Sequence, residues 1–480
     1  MHKTATDRED RGMNLLRNRG IGGLLKAKGF PAVAQLLLLA VFVLLVLGGL
    51  GVTTTDPDLT QYLRDTNLAN LIVWSYWWPV IIIVAVLFGR LWCTVCPMEF
   101  LTYGAGRIGL RRRVPGILKS GWVVTVFYML VWIVGIQTLG VNRIPHRMSL
   151  YMLLLILVAV DVSLIFERRA FCSYVCPVGH LLGLYALLSP LAWRADDAGV
   201  CASCRTRDCV AKKNQDRWAG RSCTSGLYPA SITDNRDCLL CTQCWKACPR
   251  ENVRFCVRRP LADLLAGVDL RPAQAGFLLV LSGIVVYEIL SEWPVSLAMM
   301  MRGPERLTQT LGMTGVMSNL VSATFLFLVA PALVLLVVTA LARSACGRER
   351  APFGQTARMF TLLLLPTIAG AHILKSILRI SSRLPYWSGV WADPKGIKTA
   401  QAMVARTLVL DTSAPEALDP AISYVAIALL LASLAATVLV FRRMVVRQKL
   451  SPGVQAVLFL STLSYWSIFA VTILCWRFGS

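Results

Sequence analysis

The run Cys238-Leu-Leu-Cys241-Thr-Gln-Cys244-Trp-Lys-Ala-Cys248-Pro249 has the spacing C-x2-C-x2-C-x3-C-P. Three closely set thiolates of such a run wrap one face of an iron–sulfur cubane, while the fourth turns away to another cluster. Zinc sites favour two separated C-x2-C pairs instead. Upstream, Cys201-Ala-Ser-Cys204-Arg-Thr-Arg-Asp-Cys209 and the distant Cys223 form a looser version of the same half-motif. With the fourth ligand exchanged, one [4Fe–4S] cluster takes Cys201, Cys204, Cys209 and Cys248. The other takes Cys223, Cys238, Cys241 and Cys244. Cys256 could substitute as a ligand, but reads more simply as a bystander thiol.

Two further pairs, Cys93-Thr-Val-Cys96-Pro97 and Cys172-Ser-Tyr-Val-Cys176-Pro177, follow Gly89-Arg90-Leu91-Trp92 and Arg169-Ala-Phe171. Superimposing Cys96-Pro97 on Cys176-Pro177 also aligns Val95 with Val175 and Leu101 with Leu181. That is an internal repeat of apolar span, Cys-Pro and surface helix. Proline suits the first turn of a helix, so each Cys-Pro places a thiol at a helix N-terminus. There the helix dipole and nearby arginines are expected to lower the thiol pKa. Three readings stand for Cys93, Cys96, Cys172 and Cys176. They bind a further cluster at the membrane boundary, they close the cysteine-rich segment against the membrane, or they pack as small buried residues.

These cysteines sit in a chain that lipid must surround. The 480 residues are 56% hydrophobic and 16% charged, with mean hydropathy +0.60, against about 25% charged in soluble domains. A spanning helix needs about 20 mostly apolar residues. Such runs lie at about 31–51, 71–89, 121–140, 149–166, 273–291, 319–342, 359–380, 421–441 and 454–474. Backbone groups in lipid must pair within their own segment, so these runs are helices. The expected fold is therefore an all-α polytopic membrane protein of about nine transmembrane helices, with an inserted small α+β ferredoxin-like module for two [4Fe–4S] clusters. Its parts are a basic N-terminus (1–30), four spans with the first Cys-Pro loop (31–166), the iron–sulfur module (167–272) and a C-terminal bundle of about five spans (273–480). The insert is poor in apolar residues, and metal ligation would replace an ordinary core. No removable signal peptide is evident, since the apolar run after Phe30 is long enough to span.

Net charge of +23 does not point to nucleic acid, because the basic residues flank the apolar runs and no recognition module accompanies them. The basic segments are the N-terminus, Arg111-Arg112-Arg113, residues 167–272, the Arg343–Arg350 loop and Arg442-Arg443 to Arg447. They alternate with basic-poor loops and so face the cytoplasm, with Arg143 and Arg147 as a mild violation. The expectation is a bacterial inner-membrane protein with its iron–sulfur module on the cytoplasmic side. Grouped cysteines on that side read as metal ligands rather than disulfides.

The remaining candidates lie in the spans. His372 and Lys375 stand one turn apart in the seventh run, with Glu288 near the end of the fifth and Asp161 in the fourth. Ionisable residues inside a membrane usually face the bundle interior. This set reads as a quinone or proton site, or, for Lys375 alone, as a snorkelling side chain. Asp161 could carry protons or bias the potential of a nearby cluster, or equally pair with Arg168 or Arg169. Four histidines, of which only His372 falls within an expected apolar run, leave haem short of axial ligands. Met299-Met300-Met301, on an expected outer loop, reads as an interfacial apolar patch before a copper(I) site.

A Cys-Pro pair at two successive membrane exits followed by a ferredoxin run resembles the membrane-bound ferredoxin (polyferredoxin) family. That family includes the nitrous-oxide-reductase regulator NosR, the nitrate-reductase ferredoxin NapH and the copper-oxidase accessory ferredoxin CcoG. The resemblance covers about residues 70–260. It implies electron transfer between the quinone pool, or a cytoplasmic donor, and a partner redox protein, with the chain as a complex subunit. An enzymatic label would be quinol or ferredoxin oxidoreductase. The alternative is an accessory protein that reduces a metal or senses redox state while a partner enzyme is assembled. No flavin-bearing domain or C-x-x-C-H haem site is present, and the C-terminal spans have no counterpart in the resemblance.

Overall fold

The computed structural model describes residues 12–167, 169–345 and 352–479. Arg168, residues 1–11 and the stretch 346–351 of the expected basic loop lie outside that description. Among the described residues, eight helices are long and apolar enough to cross a membrane. With one shorter apolar helix they are α1 Ala32–Gly49, α2 Leu68–Phe88, α3 Trp122–Thr138, α4 Pro145–Ile165 and α5 Pro272–Leu290. There follow α6 Gly315–Ser344, α7 Phe353–Ser382, α8 Ser413–Gln448 and α9 Pro452–Phe478. The shorter one is α3, the apolar run at about 121–140. The helix starts obey local rules: proline stands in the first turn of α5 and α9, where its missing N–H costs nothing.

The chain divides into two compact units. The first comprises Met1–Val46, Ile81–Ser120 and Met152–Val268, and the second Leu47–Val80, Gly121–Tyr151 and Asp269–Ser480. In the first unit, a small antiparallel sheet has the order β1-β3-β2, built from β1 Met13–Asn14, β2 Leu191–Ala195 and β3 Val253–Val257. The β2–β3 register pairs Trp193 with Phe255, and their rings stack at 4.9 Å. Trp193, Leu240, Val253 and Phe255 form a buried cluster against which Cys238, Cys244, Trp245 and Cys248 pack. The cysteine-rich segment thus has a small core of its own, with the cysteine loops as its rim.

A charged network supports that core. Asp263 is 1% exposed. Its Oδ1 accepts from Arg258 at 2.8 Å and from Arg194 at 3.3 Å, and its Oδ2 accepts the Asn235 backbone N–H at 2.9 Å. A buried carboxylate is tolerated when paired and hydrogen-bonded in this way. The basic N-terminal stretch also docks here. Met13 and Asn14 pair with Val257 and Cys256, and the Lys246 ammonium caps the carbonyls of Ala27 and Phe30 at 2.8 and 2.6 Å.

In the second unit, α7 is the central helix. It packs against α5, α6, α8 and α9, and 89% of its most apolar window is buried. Close approach relies on small residues: a side chain at Gly283 of α5 would strike the Leu326 carbonyl at 2.7 Å. Met299, Met300 and Met301 lie within the helix Pro294–Thr310, not on a loop as their flanking prolines suggest, and Met299 is exposed.

Candidate iron–sulfur centre

In the first unit, the two Cys-Pro elements fold alike. Cys93 sits in the short helix Leu91–Val95, and Cys96 caps Pro97–Ile108. Cys172 sits in Ala170–Tyr174, and Cys176 caps Pro177–Tyr185, its Sγ accepting the Gly179 N–H at 3.3 Å. Proline occupies the first turn of both longer helices. The four sulfurs come within electrostatic reach of one another. Burial pushes the Cys96 thiol well above its ordinary value, and Cys93, Cys172 and Cys176 push it further. Burial likewise raises Cys176 to about 12. Cys172 is raised by burial even though Arg169 donates to it and opposes the shift. The helix-dipole expectation is therefore corrected. Desolvation of a buried thiolate outweighs one helix N-terminus and one guanidinium.

The other eight grouped cysteines fall into two sets. Cys244 is raised by burial and then by Cys241, Cys223 and Cys238. Burial raises Cys209 to about 11, followed by Cys248, Cys201 and Cys204. Cys209 also acts on Cys244, so the two sets are neighbours. Leu240 (φ 60°) and Thr242 (φ 64°) in the Cys238–Cys244 loop are left-handed, a conformation that costs a non-glycine residue of order 1–3 kcal/mol and is retained at functional sites. Backbone N–H groups of Leu227 and Asn252 donate to Cys223 and Cys248, both at 3.4 Å, and the Asn252 amide donates to Cys201 at 3.2 Å. Such bonds favour a negative sulfur. Cys256 stands apart: it is fully buried in β3 and donates to the Ala192 carbonyl at 3.4 Å.

A buried charge cluster joins the Cys-Pro elements to the second set. Glu99 accepts from Arg221 at 2.9 Å and from Arg169, and all three side chains are at most 6% exposed. Arg169 is therefore taken by Glu99, and Asp161 is exposed. Burial works against the Arg169 charge, but Glu99 and then Cys172, Cys93 and Cys241 hold it protonated. Arg169 thus lies between the Cys-Pro quartet and Cys241. Sequence reasoning missed Glu99 and Arg221, which are 122 residues apart. The one available signal was a glutamate two residues after Cys-Pro in an otherwise apolar helix.

Among the described residues, no group of three or more His, Cys, Asp or Glu is drawn tightly enough to hold a single metal ion. A cubane seats each thiolate on a separate iron, so its ligands stand wider apart than those of one ion. Three sets of four sulfurs, with N–H donors on them, suit that larger group.

Without metal the thiols are not equally reactive. The Arg207 N–H, with the Thr206 hydroxyl and N–H, lowers the half-buried Cys204 thiol, whereas burial raises Cys96, Cys176, Cys238 and Cys244. In cluster-depleted protein at pH 7.5, iodoacetamide is expected to label Cys204 first, because the thiolate is the nucleophile. Peptide mass spectrometry over time checks the order. The same raised thiols must lose protons to bind metal, so reconstitution yield should rise between pH 7 and 9.

In the second unit, α5 and α7 bring Glu288, His372 and Lys375 together. His372 Nε2 is 3.8 Å from Glu288 Oε2, and Lys375 pairs with Glu292, so Lys375 points at a carboxylate rather than snorkelling. Asp161 belongs to the first unit.

Residues 70–117 and 148–195 each match the family model "4Fe-4S binding domain". Those stretches enclose Cys93 and Cys96 in one copy and Cys172 and Cys176 in the other, so the internal repeat is real. The chain is 24% identical over 218 residues to the ferredoxin-type protein NapH of Escherichia coli, covering 42% of this chain and 74% of that protein. It is 32% identical over 117 residues to the putative electron transport protein YccM of Escherichia coli, covering 22% of this chain and 28% of that protein. An uncharacterized protein of Methanocaldococcus jannaschii, MJ0749, is 23% identical over 189 residues, covering 37% of this chain and 68% of that protein. No solved structure matches. The resemblance to membrane polyferredoxins stands, and the eight long apolar helices make this chain a membrane protein.

Proposed function

We propose that the chain carries electrons at a membrane through three [4Fe–4S] clusters. The observation that carries this reading is the sorting of twelve cysteines into three mutually interacting sets of four. Cys201, Cys204, Cys209 and Cys248 would hold the first cluster, and Cys223, Cys238, Cys241 and Cys244 the second. Cys93, Cys96, Cys172 and Cys176 would hold the third, two from each matched repeat. Bound clusters would supply one-electron redox chemistry. The chain's own part is to bury the sulfurs, to donate N–H groups onto them, and to place the Arg169 charge between the last two sets.

On this reading α3, with 17 residues, is a ninth span at the short end of the range. The basic iron–sulfur module, residues 167–272, then lies on the cytoplasmic side of a bacterial inner membrane. The donor is the quinone pool or a cytoplasmic reductant, and the acceptor is a partner redox protein in a larger complex. Membranes holding the chain are expected to show its EPR signals appear on adding quinol and decay on adding an oxidised partner complex. Normal electron flux in a deletion strain whose partner enzyme lacks its metal would instead establish an assembly role.

A further inference from the structure

A cavity of about 270 Å3 opens among the helices of the second unit. Unusual backbone builds it. Residues Ile72–Trp77 and Val131–Thr138 are π-helical, and they supply Trp74, Trp132, Ile136 and Gln137 to its wall. The π-helical turn Phe325–Val329 lies behind, where Phe327 meets Trp132 and Tyr287, both lining residues, edge-on at 6.0 and 5.5 Å. Such turns are rare and gather at functional sites.

The cavity is also out of charge balance. Arg64, Arg143, Lys375, Arg379 and Arg383 line it, against Glu288 and Glu292. Glu292 is taken by Lys375, and Arg383 is held at 2.9 Å by Asp65. Glu288 sits beside His372. Although Asp65 and Glu288 act on Arg64 from farther away, among the described residues no carboxylate forms a direct ion pair with Arg64 or Arg379. Their Nε atoms are buried and, among the described residues, without a hydrogen-bond partner, as is the Trp74 indole Nε1. Both arginine side chains are half-buried, and a guanidinium drawn out of water needs a counter-charge. Its planar fork matches a carboxylate or a similar oxyanion.

We propose that this cavity binds a small oxyanion, a carboxylate or an inorganic counterpart, gripped by Arg64 and Arg379 and flanked by the indoles of Trp74, Trp78 and Trp132. This goes beyond the electron-carrier reading and does not depend on it. A neutral quinone ring would offer neither guanidinium a direct counter-charge.

The test is isothermal titration calorimetry on the full chain in detergent, with sodium acetate, benzoate or sulfate as probe. Acetate and benzoate report an organic carboxylate site, and sulfate an inorganic one. At least one is expected to bind saturably, with affinity falling tenfold or more in Arg64→Gln and in Arg379→Gln but unchanged in Glu416→Gln, an exposed site. A second readout needs no variant: the bound anion should protect Arg64 and Arg379 from phenylglyoxal, mapped by peptide mass. The proposal is overturned if no probe binds saturably, if both arginine variants bind as well as wild type, or if phenylglyoxal modification is unaffected by the anion. Saturable binding of decylubiquinone, unaffected by all three anions, would overturn it in favour of a quinone.

Discussion

Replacing Cys241 by serine in the full chain is expected to remove one whole cluster, about a third of the bound iron, together with its share of the EPR signal. The reason is cooperative. Cys241 stands within reach of Cys223, Cys238 and Cys244, and a serine oxygen is a poor partner for soft iron–sulfur chemistry. The loss should propagate into the fold. Cys238 and Cys244 pack directly on the cluster of Trp193, Leu240, Val253 and Phe255. Leu240 and Thr242 hold left-handed conformations that need external support. Structural metal sites contribute on the order of 10 kcal/mol to small domains, so limited proteolysis between residues 196 and 252 should accelerate many-fold. A variant with full iron and an unchanged spectrum would show that Cys241 is no ligand.

Glu99→Gln is expected to be the most damaging change that leaves every cysteine in place. Glu99 is 2% exposed and answers two buried guanidinium groups, Arg169 and Arg221. Removing one partner of a buried ion pair costs about 3–5 kcal/mol, because the charge left behind stays desolvated. Thermal unfolding in detergent should register that loss. Arg169→Gln removes the other side of that pair and adds a redox readout. Arg169 donates to Cys172 and acts on Cys93 and Cys241. A nearby positive charge favours the more negative, reduced state of a cluster, so losing it should lower a midpoint potential. The expected shift is about 60 mV, a tenfold change for a one-electron couple. Redox-poised EPR that shows unchanged potentials would confine Arg169 to a structural role.

What the sequence revealed depended on how local each signal was. The ferredoxin run and the Cys-Pro pairs are readable because cluster ligation imposes spacings of two or three residues. The proposed assignment of Cys201 to Cys248, including the crossing of Cys248 and Cys223 between sets, rests on those spacings. The apolar runs were equally plain, since lipid demands long uniform segments. The run at about 121–140 was read as an ordinary span, yet its second half is π-helical. Hydropathy is blind to one extra residue per turn.

Non-local pairing was out of reach. Nothing near Glu99 announces Arg221, and Asp65 finds Arg383 across more than three hundred residues. Lys375 was read as snorkelling because Glu292 lies on a different segment. The thiol pKa expectation failed for a related reason: helix dipole and arginine were visible in the sequence, whereas burial was not. Asp161 lies in the first unit, whereas Glu288 and His372 lie in the second.

The most direct measurement is the iron and acid-labile sulfide content of anaerobically purified chain, read with low-temperature EPR after dithionite reduction. Three clusters predict about twelve irons and about twelve sulfides per chain, with interacting signals from neighbouring centres. About eight of each would remove the Cys93, Cys96, Cys172 and Cys176 centre. Colourless protein holding zinc and no sulfide would contradict the account altogether.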